Sequence, residues 1–229
     1  SIIDVILLIA EIIYNGGFES FSVNPWLGVS AQTLIDFGAK DSYLMWDGEF
    51  YRFATPMFLH VGVIHLAVNL LGQLPIGMEM EKCIGTTSMV ILYILSGIGG
   101  NILSAIFLPR TVQAGASSSL FGLLSVYLVD YILNSKFYQS ATKKTVLWII
   151  GTIFSLVLGV LPGIDNFAHI GGSLAGLFVG LVVFPTIPML RRSQPKLLWT
   201  FARLIGFALS VAFFVVGFLT FYLYADLKE

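Results

Sequence analysis

The chain has 229 residues, of which 57% are hydrophobic and only 11% charged, with a mean hydropathy of +0.89. A soluble domain carries about 25% charged residues, so this composition belongs to a polytopic membrane protein. The net charge of −1 excludes nucleic-acid binding through bulk charge, and the single cysteine, Cys83, excludes an intramolecular disulfide.

A span needs roughly 20 mostly apolar residues. The first candidate, at 1–14, is short and carries Asp4 and Glu11. It is expected either to be clipped at its front or to pack inside the bundle, where a carboxyl finds a partner. Residue 1 is serine, which points to a trimmed or processed chain and leaves a removed targeting segment open. The stretch 15–56 is punctuated by Asn24, Pro25, Gly28 and Gly38. It is also rich in large side chains, among them Phe18, Phe21, Trp26, Phe37, Met45, Trp46 and Phe50. That mixture predicts an amphipathic structure lying in the membrane interface. Further spans are expected at 57–77, 87–108, 117–134, 145–161, 167–187 and 198–224, with short breaks at 79–86, 109–116, 134–145, 162–166 and 188–197. The expected fold is an all-α polytopic bundle of six helices plus one C-terminal transmembrane helix. It forms one domain over 1–229, with a core at roughly 1–190.

Seven spans put the N-terminus on the same side as Lys82, Lys136, Lys143, Lys144, Arg191, Arg192 and Lys196. The other side holds Lys40, Arg52, Arg110 and Lys228. The excess of positive charge predicts a cytoplasmic N-terminus and an external or lumenal first loop. The second, fourth and sixth spans then run from outside to inside. His60 and His65, Ser117, and His169 lie near the starts of those three spans, so all fall in the outer half of the membrane.

Polar groups are costly at that depth and usually have a task. A buried histidine bonded to a backbone carbonyl, or a serine bonded to its own helix, is the plain alternative for any one of them alone. Together they fit nucleophilic hydrolysis, with His169 as general base on Ser117 in a dyad. His65 and Asn69 are four residues apart on one helix face, and both donate hydrogen bonds suited to a developing oxyanion. Gly172, Gly176 and Gly180 form a small-residue stripe beside His169, and Gly122 lies one turn beyond Ser118. Such faces let helices approach closely, for packing alone or to bring Ser117 to His169. Three dispersed histidines without paired carboxylates point to no metal.

At this point the chain resembles the rhomboid family of intramembrane serine proteases, from roughly residue 51 to residue 180. His60-Val61-Gly62-Val63-Ile64-His65-Leu66-Ala67-Val68-Asn69 is similar to the family's second-helix motif, in which His65 and Asn69 would help stabilise the oxyanion. Glu81-Lys82-Cys83-Ile84-Gly85-Thr86 resembles the turn after that helix. Gly115-Ala116-Ser117 resembles the nucleophile motif, and Asp165-Asn166-Phe167-Ala168-His169-Ile170-Gly171-Gly172 the histidine helix. Tyr51-Arg52 sits where the family has a Trp-Arg pair. Phe121 sits where an aromatic ring packs on the histidine. The six-plus-one order is similar to the secretase-type branch, whereas the mitochondrial branch adds its span at the front.

The resemblance implies cleavage of transmembrane segments by Ser117 and His169, with Gly115, Phe121 and His60 in support and no cofactor. Substrates would be membrane proteins entering sideways from lipid, in the plasma membrane or a secretory-pathway membrane. One departure stands out: the usual Gly-x-Ser-Gly ends here in Ser118. That keeps open a catalytically inactive relative that binds membrane-protein clients. A small transporter or channel would also explain intramembrane histidines, but the chain lacks paired carboxylates or a broken-helix inverted repeat. Room for the Ser118 side chain is expected against the His169 helix, beside Gly172 and Gly176.

Overall fold

The computed structural model describes residues 1–133, 165–183 and 196–224, together with positions 146, 149 and 153. Apart from those three positions, the expected span at 145–161 lies outside the described residues, as do the basic loops carrying Lys136, Lys143, Lys144, Arg191 and Arg192. The described chain is helical: α1 (Ile2–Tyr14), α2 (Ala31–Asp36), α3 (Ser42–Trp46), α4 (Val63–Ile84), α5 (Thr86–Phe107), α6 (Ser117–Leu133), α7 (Asn166–Val183) and α8 (Lys196–Tyr224). Four of these helices, α4, α5, α7 and α8, are long and apolar enough to cross a membrane.

Hydropathy locates α5 almost to the residue but misplaces α4. The expected span at 57–77 begins instead at Val63, because Thr55–Phe58 form a 3₁₀ turn with Pro56 at its start, and the chain then runs extended into Gly62. The helix continues past the apolar stretch, through Glu79, Glu81 and Lys82, to Ile84. Charge does not break a helix, and Gly85, at φ +82°, does. The expected turn at 79–86 is therefore a final helical turn followed by one glycine.

At 13 residues, α1 spans about 20 Å at roughly 1.5 Å per residue, short of a bilayer core of about 30 Å. Both of its carboxyl groups face inward. Asp4 is 1% exposed and accepts a hydrogen bond from Gln73 on α4 at 3.3 Å. Glu11 is fully buried.

The 15–56 stretch is more than an interfacial layer. Phe18, Phe21 and Phe50 are exposed, but Met45 and Phe53 are buried with Ile102, Ala105 and Phe221, which joins this stretch to α5 and α8. Its backbone is held by buried side chains. Arg52 donates to the carbonyls of Ile35 at 2.7 Å and Ala39 at 2.8 Å, and pairs with Glu49 at 2.6 Å. Asn24 donates to Val29 and Val61.

Lys40, 0% exposed, donates its ammonium to the carbonyls of Leu108 and Thr111, just past the end of α5. Its backbone pairs in both directions with Gln113, two residues before Gly115. Burial lowers the Lys40 amine to about 8. The folded protein thus binds this proton more weakly than the unfolded chain, and its stability should rise as pH climbs from about 8 towards 10.5. Lys40→Met leaves two carbonyls unpaired, at about 1–3 kcal/mol each. A thermal midpoint lower by several degrees in detergent, without that alkaline rise, is the expected result of a melting series across pH.

Candidate active site

Helices α6 and α7 meet along glycines. A methyl group on Gly172 would stand 2.0 Å from the Ser118 carbonyl oxygen, and one on Gly176 would stand 2.3 Å from the Cα of Gly122. Nothing larger than hydrogen fits at either place, so the two backbones touch. This approach sets the Ser117 Oγ 3.0 Å from the His169 Nε2. Ser117 is the first residue of α6 and is half-buried, and His169 is 5% exposed.

The Phe121 ring, one turn beyond Ser117, stacks on the imidazole with centroids 4.2 Å apart and planes 16° apart. The flat contact leaves the ring little freedom to swing away from the serine. Among the described residues the His169 Nδ1 has no hydrogen-bond partner. The nearby carboxylate of Asp165 is occupied elsewhere. It caps α7 by accepting from the Ala168 N–H at 2.9 Å, and it accepts from the Ser104 hydroxyl on α5. Among the described residues the arrangement is a pair, without a third carboxylate member.

The segment entering α6 is anchored from two sides. The Gly115 N–H donates to the Pro56 carbonyl at 2.8 Å. Gly115 has φ +149°, and a Cβ there would meet the His65 Cε1 at 2.6 Å. Glycine is needed for both reasons, and His65 is thereby placed against the residue two before Ser117. Trp26 lies across the His65 ring at 5.6 Å, and His60 lies 5.5 Å from it. Asn69, 4% exposed, donates to the His65 backbone carbonyl at 2.9 Å. One of its two amide hydrogens is thus engaged within α4, and it acts on the His65 turn rather than bonding Ser117 or His169.

Ser118 departs from expectation. Its backbone lies against Gly172, but its side chain faces α5. A Cβ on Gly100 would come within 2.5 Å of the Ser118 Cβ and 2.6 Å of the Ala168 carbonyl oxygen. Gly100, rather than Gly172 or Gly176, supplies the room. Ser118 is fully buried with its hydroxyl unpartnered among the described residues. The contacts made by Gly100, by the Lys40 side chain and by the Pro56 carbonyl are not legible in the sequence. The Gly99-Gly100 pair inside a span was the available signal, since paired glycines in mid-helix weaken the helix unless something packs against them.

The sequence matches the Rhomboid domain family over residues 47–186. It is 36% identical over 176 residues, 76% of this chain, to RHOMBOID-like protein 6, mitochondrial, of Arabidopsis thaliana. Rhomboid-type serine protease 2 of Emericella nidulans is 37% identical over 62% of the chain. Inactive rhomboid protein 1 of Danio rerio is 37% identical over 61%. The matches cover 57%, 29% and 16% of those three relatives. A family match across more than half of the chain, over the segment that holds Ser117, His169, His65 and the glycine seam, assigns the protein: it is a membrane protein that belongs to the rhomboid family.

Proposed function

We propose that the protein is an intramembrane serine endopeptidase that cuts transmembrane segments of other membrane proteins. The observation that carries this reading is the 3.0 Å approach of the Ser117 Oγ to the His169 Nε2 beneath the Phe121 ring. Ser117 attacks the scissile carbonyl carbon while its proton passes to Nε2. His65, the backbone N–H of Ser117 and Asn69 receive the oxyanion. The tetrahedral intermediate collapses as the imidazolium returns that proton to the leaving amine. Water, deprotonated by His169, then releases the acyl group. No metal or cofactor enters this sequence.

Substrates enter sideways from lipid, with small residues at the cut and a poorly stable helix. The side bearing Lys82, Lys136 and Arg191 is cytoplasmic, and the site opens outward. The span that follows the histidine helix favours the plasma membrane or secretory pathway. Labelling with a fluorophosphonate, followed by peptide mapping, tests the reading: a phosphonyl group on Ser117 is the expected result. An unlabelled folded protein would favour the second reading, a client-binding inactive rhomboid, which the departure at Ser118 keeps in view.

Ser118 supplies a further check. Ser118→Gly restores the family pattern and relieves a full contact with Gly100, so activity should hold or rise modestly. Its stability cost should be no more than about 1 kcal/mol, typical of glycine within a helix. Ser118→Val adds branching in a fully buried site and pushes α5 from α6. A displacement of about 1 Å costs on the order of 100-fold in rate. Initial cleavage rates in liposomes decide, and full activity in Ser118→Val would show that this contact does not hold Ser117 in place.

A further inference from the structure

Behind the nucleophile segment lies a group of buried polar side chains that the dyad does not use. Glu11 of α1 is 0% exposed, and neither carboxyl oxygen has a hydrogen-bond partner among the described residues. The carboxyl group lies beside the backbone N–H of His60, short of good hydrogen-bonding geometry. His60 is also 0% exposed; its ring lies beside the Phe58 backbone carbonyl, and neither ring nitrogen makes a well-formed hydrogen bond among the described residues. Its ring stands 5.5 Å from that of His65, whose Nδ1 is likewise buried and unpartnered. Five polar atoms on three titratable side chains therefore lie in sequence from α1 to the Gly115 contact.

Buried polar atoms are nearly always paired, to protein or to internal water. Three other carboxylates of the described residues are engaged elsewhere. Asp4 bonds Gln73, Asp36 bonds Tyr14 and Gln32, and Asp165 caps α7 and bonds Ser104. A metal ion does not explain the group. Among the described residues no three such side chains come close enough together to hold one.

We propose that Glu11 is a positioning residue for His65, acting through His60 in a buried relay closed by internal water. The physical reason is tautomeric. A neutral imidazole has one donor and one acceptor nitrogen, and the bond made at one decides the proton on the other. His65 turns its Cε1–Nε2 edge towards Gly115. To present an N–H there it needs an acceptor role at Nδ1, which is buried and has no hydrogen-bond partner among the described residues. The carboxyl of Glu11 sets the protons available to His60, and His60 sets those available to Nδ1.

The structural part of this proposal stands without any activity. Its catalytic consequence rests on the protease reading. The chain has only three histidines, so ¹⁵N-histidine NMR of the full chain in detergent resolves the rings, assigned with His60→Asn and His65→Asn. Glu11→Leu should shift the ring signals of both His60 and His65 and leave those of His169 in place. Glu11→Gln, nearly isosteric, keeps the hydrogen bonds but not the titration, and should shift them less. If Glu11→Leu does not fold, Glu11→Gln alone must still move the pH dependence of the His60 and His65 signals. Unmoved His60 and His65 signals in the folded variant would overturn the relay.

On a model transmembrane substrate, Glu11→Leu should lower kcat at least 10-fold, with KM within about 2-fold and partial recovery in Glu11→Gln. Equal losses in both variants that track the thermal midpoint would mean a merely structural role. A wild-type protein that neither cuts nor is labelled would defeat the protease reading and leave the NMR result to judge Glu11 by itself.

Discussion

Ser117→Ala and His169→Ala are each expected to abolish cleavage of a model transmembrane substrate, a loss on the order of 10⁴-fold or more, while the protein still folds in detergent. Both atoms of the 3.0 Å contact are needed for one proton transfer. The double variant should therefore be no worse than either single one, as groups acting as a unit are far from additive. Ser117→Ala removes one oxygen from a half-buried site and should melt near wild type. His169→Ala also loses the stack on Phe121, about 0.5–1.5 kcal/mol, and should melt slightly lower. Ser119→Ala should cut at close to the wild-type rate. Ser119 is buried and meets the Met57 sulfur at 3.7 Å, away from the dyad. Turnover by Ser117→Ala would move the nucleophile to a neighbouring serine or end the mechanism.

His65→Ala should lower kcat by roughly 100- to 1000-fold, or about 3–4 kcal/mol, the usual cost of one oxyanion donor, with KM little changed. Its ring lies on Gly115, whose conformation leads directly into the nucleophile. Asn69→Ala should cost less, about 10-fold, because one amide hydrogen is bound to the His65 carbonyl. The two substitutions should fall short of additivity, since Asn69 supports the turn that carries His65. Single-turnover cleavage of the four proteins in the cycle provides the measurement. Two single variants that cut at full rate would make this face of α4 structural only.

Much of the architecture follows from hydropathy and small-residue spacing. The long apolar run of α5 and the Gly172–Gly176–Gly180 stripe of α7 are properties of local sequence, because lipid solvates apolar side chains and demands internally bonded backbone. The identity of the polar groups near the starts of three helices is equally local. Helix ends are not: α4 starts at Val63 because of how Pro56 turns the chain, and it continues past Pro75, which removes one of its hydrogen bonds, and through Glu79–Lys82 until Gly85 leaves the helical conformation.

What the sequence by itself determined about this protein is a membrane-embedded helical chain of the rhomboid type, with His65, Ser117 and His169 near the starts of three helices. Tertiary structure alone decided their partners. Ser118 turns to Gly100 and not to Gly172, Lys40 ties the first loop to the segment before Gly115, and Glu11 reaches the neighbourhood of His60. Each of these joins residues far apart in the chain. Which side chain meets which then depends on how neighbouring helices are rotated and staggered, and no local periodicity encodes that.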